Sequence, residues 1–327
     1  MNFEPHILNQ ATSLYKRPSI LFHAHLETIY PALLRKVDFI PYERERITTP
    51  DQDFLDLDWL KQGSFRLVIL SHGLEGNTSR AYVRGMAKAF FLAGYDVMAW
   101  NYRGCSEEMN RNLRFYHSGA TDDLDVVIQY VNKKKVYSEI SLIGFSLGGN
   151  LTLKYLGEKG SQLPASLKKA VVFSVPMDLH MSCLKISTRS NWMYSKRFLL
   201  SLKRKVIQKS KHLPELNTHG IDVITNLMEF DDKFTAPIHG FKNAIDYYGK
   251  SSSIHFLHGI AIPTLIINAK NDPFLSKECF PSYDAIQNPS LRMDYSEFGG
   301  HVGFTLFTQN GLYWSELKAL AFIQTKT

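Results

Sequence analysis

A serine flanked by small residues is the first feature of this sequence that could carry covalent chemistry. Residues 144–148 read Gly-Phe-Ser-Leu-Gly, which matches the pattern G-x-S-x-G. In that pattern the serine lies on a tight turn that exposes its hydroxyl at the start of a helix. The bare pattern is weak, but an apolar strand-like segment precedes it at 140–143 and a helix is predicted over 147–156. Strand, turn and helix together predict that Ser146 is a nucleophile rather than part of a structural turn.

A carboxylate and a histidine follow Ser146 in a useful order. Asp272 comes shortly after a predicted core strand, and His301 lies in a glycine-rich segment near the C-terminus. Enzymes with this kind of turn place nucleophile, acid and histidine in that order along the chain. The sequence therefore predicts a triad in which Asp272 orients His301 and His301 takes the proton of Ser146. Asp284 and Asp294 are rival acids, but they fall in a predicted helix and beside a predicted strand.

A loop that could bind an oxyanion follows the predicted strand 65–71. Residues 72–77 read HGLEGN, and the two glycines allow the backbone to turn close to the serine. The chemistry needs two backbone N–H groups, one from the residue after the nucleophile and one from such a loop. We assign them to Leu147 and Leu74. His72 precedes Ser146, so we expect it to brace the loop by hydrogen bonding rather than act as the base.

Short β-branched segments alternate with helix-like segments, which predicts a mostly parallel central sheet with helices on both faces. The predicted core strands are 65–71, 95–102, 140–144, 170–174, 263–269 and, more weakly, 292–297. The predicted helices are 80–92, 122–132, 147–156, 277–286 and 312–324. An antiparallel edge hairpin is predicted over 38–60, where polar and apolar residues alternate and two prolines occur.

Residues 177–250 depart from this alternation. They contain no predicted strand and are too many for an ordinary loop, which predicts a helical cap over the carboxyl edge of the sheet. We therefore expect one α/β domain over 1–327 with an insertion at 177–250. Within the insertion, residues 195–212 predict a basic amphipathic helix. This helix either contacts an anionic lipid surface or acidic substrate, or simply packs with its basic face in water, and we favour the second interpretation.

Composition narrows the class of protein. The chain has 327 residues, of which 44% are hydrophobic, enough for one large core. The net charge of +7 is not accompanied by any nucleic-acid-binding motif. The cysteines, Cys105, Cys183 and Cys279, have no metal-like spacing and favour a reducing compartment. No signal peptide or apolar span is recognised, so we expect a cytoplasmic protein without metal, cofactor or nucleic-acid partner.

Several further motifs resemble those of a known family. They are residues 24–31 (AHLETIYP), 72–77 with 82–85 (YVRG), 101–106 (NYRGCS), 116–119 (YHSG), 144–150 and 230–237 (FDDKFTAP). From about residue 20 to its end, the chain resembles the YheT-like branch of the α/β-hydrolases, the AB-hydrolase type 4 family. The resemblance implies the α/β-hydrolase fold and esterase, lipase or acyltransferase chemistry, with the triad at Ser146, Asp272 and His301. Glu27 departs from the family pattern, in which glutamine is expected.

The function expected from the sequence is cleavage of carboxylic esters with short- or medium-chain acyl groups, lipids among them, through an acyl-enzyme on Ser146. Two alternatives stay open. The same acyl-enzyme could pass its acyl group to an alcohol, as in an acyltransferase. The chain could also be a ligand-binding protein with a vestigial hydrolase site, although the intact triad and loop weigh against that interpretation.

Overall fold

An eight-stranded sheet forms the centre of the computed structural model, which describes residues 14–38, 41–308 and 310–325. The strands are β1 (Glu43–Thr48), β2 (Phe54–Leu60), β3 (Arg66–Ser71), β4 (Asp96–Asn101), β5 (Glu139–Phe145), β6 (Leu167–Phe173), β7 (Thr264–Ala269) and β8 (Leu291–Ser296). Their order across the sheet is β1-β2-β4-β3-β5-β6-β7-β8. Strands β3 to β8 are parallel, whereas β1 and β2 form an antiparallel hairpin. The predicted edge hairpin and all six predicted strands are confirmed.

Helices α2 and α11 pack on one face of this sheet, and α3 and α4 on the other. The helices of the described residues are α1 (Ala24–Leu34), α2 (Ala81–Leu92), α3 (Thr121–Lys133), α4 (Leu147–Lys159), α5 (Leu179–Ile186), α6 (Trp192–Ser210), α7 (Leu227–Phe230), α8 (Ala236–Ile238), α9 (Ala244–Ser251), α10 (Tyr283–Ile286) and α11 (Trp314–Gln324). The prediction of one helix over 277–286 was wrong. A 3₁₀ turn at Lys277–Cys279 and the single turn α10 stand there instead, because Pro281 between them cannot donate a backbone hydrogen bond.

Strand β3 illustrates how the two faces are filled. Leu67 and Ile69 pack in a buried cluster with side chains of α3 and α4. Val68 and Leu70 pack in a second cluster with side chains of α2 and α11. Successive side chains of a strand point to opposite faces, so a sheet buried on both sides has strands that are apolar throughout. The parallel strands all end at one edge, and the segments after β3, β5, β7 and β8 carry the predicted site residues.

Residues 174–263 connect β6 to β7 and include α5 to α9. The part of this connection predicted as an insertion, residues 177–250, is called the cap below. An apolar cluster centred on the cap includes Phe274 from outside it, together with Leu199, Val206, Phe230 and Tyr247. Its longest helix, α6, contributes side chains to the wall of the cavity described below. Across the described ranges, no helix is both long and apolar enough to cross a bilayer.

The basic face predicted for residues 195–212 is divided in the structure. Lys209 is buried, and its Nζ donates to Asn110 Oδ1 at 2.7 Å and to three backbone carbonyls. Lys205 forms an ion pair with Glu75 at 2.8 Å. The expectation of a single solvated basic face was therefore wrong for these two lysines, which attach the helix to the rest of the protein. Three other basic residues of α6 are exposed, namely Lys196, Arg197 and Arg204.

Candidate active site

Ser146 lies on a strained turn between β5 and α4. Its φ of 53° and ψ of −118° are rarely adopted by a residue with a side chain, and such backbone strain costs about 1–3 kcal/mol. The turn is held by close backbone packing. A Cβ on Gly144 would lie 2.4 Å from the carbonyl oxygen of Gly148, and a Cβ on Gly148 would lie 2.4 Å from that of Ser71. These contacts explain why both small residues of the predicted turn are glycines.

The three predicted triad residues are joined by hydrogen bonds. His301 Nε2 is 2.9 Å from Ser146 Oγ, and His301 Nδ1 is 2.8 Å from Asp272 Oδ2. With Nδ1–H donating to the carboxylate, Nε2 is left to accept the proton of the serine hydroxyl. Asp272 is buried, and its Oδ1 also accepts from the backbone N–H of Phe274 at 2.8 Å. The carboxylate is therefore fixed in orientation, and through it the imidazole ring.

The two rival acids lie elsewhere. Asp294 on β8 forms an ion pair with Lys318 of α11 at 2.7 Å. Asp284 is an exposed residue of the short helix α10. Of the three candidate carboxylates, Asp272 is the one whose oxygens contact the ring of His301.

The loop after β3 packs against the serine turn. A Cβ on Gly73 would lie 3.2 Å from Ser146 Cβ, so the backbone of this loop passes close to the nucleophile. Leu147 is the first residue of α4, where a backbone N–H has no acceptor within the helix. Leu74 lines the same cavity as Ser146. The predicted oxyanion donors therefore belong to two segments that meet at Ser146.

Side chains from distant parts of the chain fix this loop. Tyr82 Oη accepts from the backbone N–H of Gly73 at 2.9 Å. Tyr116 Oη accepts from the N–H of Glu75 at 2.9 Å and donates to Glu75 Oε1 at 2.7 Å. The carboxylate of Glu75 also binds Lys205 of the cap. Tyr82 and Tyr116 occur in motifs that carry the family resemblance, but no sequence spacing connects either tyrosine with the loop, and their positioning role was missed.

His72 has the bracing contacts expected of it. It is buried, its Nδ1 lies 2.8 Å from the carbonyl oxygen of Gly73, and its Nε2 accepts from the backbone N–H of Tyr102 at 3.4 Å. Burial lowers the pKa of His72 to about 3. The ring is therefore neutral at physiological pH, with Nδ1–H donating to the loop.

Helix α1 supports the segment that carries His301. Thr28 Oγ1 accepts from the backbone N–H of His301 at 3.0 Å. Asn271 donates from Nδ2 to Glu27 Oε2 at 2.6 Å, and its Oδ1 accepts from the N–H of Gly300 at 3.1 Å. Glu27 and Asn271 thus connect α1 with both the acid segment and the histidine segment. Sequence reasoning singled out residues 24–31 as a motif but assigned them no place in the site.

Glu27 is a buried carboxyl group outside the hydrogen-bonded row of Ser146, His301 and Asp272. Its side chain is fully enclosed, and Oε1 has no hydrogen-bond partner within the described ranges. Burial raises the pKa of Glu27, while the hydrogen bond from Asn271, the charge of Arg17 and the backbone of Gly299 oppose the shift. Glu27 thus holds Asn271 through one carboxyl oxygen, while the other oxygen is buried without a partner in the described ranges.

Backbone strain is concentrated around the site. Of the eight non-glycine residues with positive φ in the described part of the chain, five lie in the segments that meet there: Glu75, Ser146, Ser174, Val302 and Phe304. The N–H of Val302, next to His301, donates to Ser174 Oγ at 2.8 Å. Strained residues persist where the surrounding structure over-determines them, which is typical of functional sites.

Ser146 and His301 line a cavity of about 760 Å³. Its walls come from α1, α6 and the loop after β3, and its apolar side chains include Ile29, Leu33, Met193 and Phe198. Phe274 also lines it and lies against His301, with ring centroids 4.2 Å apart. The volume falls within the range of small-molecule pockets, roughly 300–1,000 Å³. The hydroxyl-bearing residue of the turn, Ser146, thus lines a largely apolar cavity.

Within the described ranges, no group of three His, Cys, Asp or Glu side chains is arranged to hold a metal ion. His25 of α1 has its Nδ1 3.0 Å from Tyr194 Oη of α6. This contact joins α1 to α6 beside the cavity, which Tyr194 lines.

The parallel sheet with an antiparallel edge, the serine turn at its carboxyl edge and the hydrogen-bonded serine, histidine and aspartate define an α/β-hydrolase. A family model described as serine aminopeptidase, S33, matches residues 63–279. YheT of Escherichia coli is 36% identical over 86% of this chain and 84% of its own. The chain belongs to the α/β-hydrolases, in their YheT-like branch.

Other similar proteins extend this comparison. The bovine phospholipase ABHD3 is 27% identical over 85% of this chain and 70% of its own length. Among solved structures, the Pyrococcus furiosus esterase Pf2001 superposes with a TM-score of 0.54 at 18% identity, covering 82% of this chain and 89% of that chain. At that identity the superposition shows a shared fold.

Proposed function

We propose that this protein hydrolyses carboxylic esters through an acyl-enzyme on Ser146. The observation that carries the proposal is the hydrogen-bonded row from Ser146 through His301 to Asp272, opening into an apolar cavity. Ser146 Oγ attacks the ester carbonyl while His301 Nε2 takes its proton, and the same proton then leaves with the alcohol. Water, deprotonated by His301, attacks the acyl-enzyme and releases the acid.

Two backbone N–H groups stabilise the oxyanion in this proposal, those of Leu74 and Leu147. The hydrogen bonds of Tyr82 and Tyr116 to the loop after β3 support it, because an oxyanion site is effective only when its donors are held before the reaction begins. Losing one such donor typically costs about 3–4 kcal/mol of transition-state stabilisation. The rigid loop therefore provides a large share of the expected catalysis.

The proposed substrates are esters with short- or medium-chain acyl groups, lipids among them. The apolar side chains contributed by α1 and α6 support an acyl-binding role for the cavity. The similarity to a protein named phospholipase supports extending the substrate class to lipid esters.

Hydrolysis of p-nitrophenyl esters from acetate to palmitate tests the proposal. We expect turnover with a chain-length optimum, and a loss on the order of 10⁶-fold in kcat for Ser146→Ala. The control is Ser161→Ala, because Ser161 is exposed and does not line the cavity. Full activity of Ser146→Ala would refute the assignment of Ser146 as the nucleophile.

A folded protein that neither turns over any ester of the series nor reacts with fluorophosphonate probes would support the ligand-binding alternative. Product analysis with an added alcohol separates hydrolysis from acyl transfer, because transfer yields a new ester instead of the free acid.

A further inference from the structure

Two helices beside the cavity expose large apolar side chains to solvent. On α1, Leu33 and Leu34 are 65% and 66% exposed, and on α6, Trp192 and Met193 are 57% and 52% exposed. Leu33, Trp192 and Met193 also line the cavity that contains Ser146. Contiguous exposed apolar surface in a folded protein marks an interaction site. Here that surface surrounds the entrance to the catalytic serine.

Helices α1 and α6 line the same cavity and are in contact beside it. His25 of α1 lies 3.0 Å from the hydroxyl of Tyr194 of α6, and their rings stack with centroids 5.6 Å apart. Tyr194 in turn packs edge-on against Phe274 beside the triad. We define the mouth surface by the exposed side chains of these two helices that the argument uses, namely Leu33, Leu34, Trp192, Met193, Lys196, Arg197, Leu200 and Arg204.

Basic side chains alternate with apolar ones on the α6 part of the mouth surface. Lys196, Arg197 and Arg204 are exposed and line the cavity, and none of them forms an ion pair with another described residue. Leu200, 43% exposed, lies between them on the helix. Among the described residues that line the cavity, the one acidic residue is Glu75, whose carboxylate is already bound by Lys205. The mouth surface thus combines protruding apolar groups with uncompensated positive charge.

We propose that the mouth surface docks on the surface of an anionic phospholipid bilayer. At such an interface, exposed apolar side chains enter the boundary between headgroups and acyl chains, and basic side chains are attracted to the anionic headgroups. The charge complementarity identifies the occupant: a soluble anion does not bury the leucines and the tryptophan, and a neutral bilayer does not pair with three cations. Docking would bring the cavity entrance against lipid.

The catalytic purpose of bringing the cavity against lipid rests on the proposed ester hydrolysis. The docking itself does not depend on that activity. Binding is therefore measured on the Ser146→Ala protein, in which no turnover occurs. A failure of docking and a failure of hydrolysis are then separate results.

Co-sedimentation with phosphatidylcholine vesicles, with and without phosphatidylglycerol, tests the proposal. We expect binding to the vesicles that contain phosphatidylglycerol, and weaker binding at high salt. Each basic residue near an anionic surface strengthens partitioning roughly fivefold. The combined variant Lys196→Gln, Arg197→Gln and Arg204→Gln is expected to lose binding by about 100-fold on the same basis.

The matched control removes the same charge from the opposite end of the sheet. Lys133, Lys135 and Lys168 are exposed and lie near the starts of β5 and β6. Their combined replacement by glutamine is expected to leave vesicle binding within about twofold, because screening weakens charges beyond roughly 10 Å from the surface. Equal loss in both triple variants would mean that net charge alone drives binding, and would overturn the proposal.

A second variant tests the apolar side chains of the mouth surface. Leu33→Ser with Trp192→Ser should reduce vesicle binding at high salt, where the electrostatic contribution is screened. The control, Phe65→Ser with Val136→Ser, changes two exposed residues away from the mouth surface and should not reduce binding.

Three results would overturn the proposal: no binding to vesicles with phosphatidylglycerol, equal binding to vesicles without it, or release of bound protein by an equal concentration of glycerol phosphate.

Discussion

The carboxyl edge of the sheet and the cap are held in place by different kinds of contact. At the edge, backbone atoms are in such close contact that Gly144 and Gly148 have no room for a methyl group. The cap helix α6 is attached through its side chains, with Lys205 bound to Glu75, Lys209 bound to Asn110 and Tyr194 packed against Phe274. Close backbone packing leaves the turn of Ser146 little freedom to move, whereas side-chain contacts hold one wall of the cavity. We expect substitutions at the edge to have larger effects than substitutions in the cap.

The largest effect expected at the edge, after removal of the serine itself, comes from Asp272→Asn. An amide at this position disfavours the tautomer in which His301 Nε2 accepts a proton, which typically lowers kcat by about 10⁴-fold. The measurement is kcat and KM for the best p-nitrophenyl ester. The matched control is Asp284→Asn at the exposed rival acid, which should retain full activity. If instead Asp284→Asn inactivated the enzyme and Asp272→Asn did not, the proposed triad would be wrong.

A pair of glycine substitutions compares the two regions directly. Gly148→Ala would bring a Cβ within 2.4 Å of the backbone oxygen of Ser71, so we expect a loss of more than about 3 kcal/mol in the free energy of unfolding. Gly249 lies within α9 of the cap, where a Cβ would meet no atom within 4 Å. Gly249→Ala should stabilise the protein by about 0.5–1 kcal/mol. Urea denaturation measures both, and similar effects at the two glycines would remove the proposed distinction.

The parts of the site that were predictable from sequence are those set by local pattern and chain order. The serine turn follows from five consecutive residues, and Asp272 and His301 follow from the requirement that they come after it near strand ends. The supporting contacts have no such local signal. Asn271 and Glu27 are 244 residues apart, and Lys205 and Glu75 are 130 residues apart. From sequence alone, a basic residue on an amphipathic helix is predicted to be solvated, because the loop that it contacts is not yet known.

The next prediction concerns Glu27, which supports the edge through a side chain rather than through backbone packing. Glu27→Ala removes the acceptor for Asn271 and frees the segment of His301, so kcat should fall by about 10- to 100-fold with little change in KM. Glu27→Gln keeps an acceptor for Asn271 and should restore kcat to within a few-fold. Equal losses in both variants would mean that the charge, not the hydrogen bond, supports the histidine.

The pH dependence of stability is a separate readout for Glu27. Because burial raises its folded pKa above the unfolded value, its contribution to stability is complete below the unfolded pKa, about 4.3, and is lost as the pH rises through the folded pKa. Urea denaturation from about pH 4 upward should therefore show that the stability of the wild-type protein relative to Glu27→Gln falls as the pH rises. Glu215→Gln, at an exposed cap residue, should leave the wild-type slope unchanged.

The smallest effect is expected where the cap is attached. Lys209→Met keeps the length of the side chain but removes the donor to Asn110 Oδ1, whose Nδ2 still binds neighbouring carbonyls. We expect a loss of about 2 kcal/mol in the free energy of unfolding and little change in kcat. Lys211→Met, two residues further on and exposed, is the control and should cost less than about 0.5 kcal/mol.

The lowered pKa of Lys209 adds a pH dependence to this prediction. Burial lowers its pKa to about 7, below the unfolded value of about 10.4. Between these two pH values the unfolded chain binds more protons than the folded chain, so the free energy of unfolding of the wild-type protein rises with pH. Lys209→Met lacks that rise, and its deficit relative to wild type should be larger at alkaline than at neutral pH. A deficit that did not depend on pH would mean that Lys209 stays fully charged in the folded cap, and that its hydrogen bonds outweigh the cost of burying it.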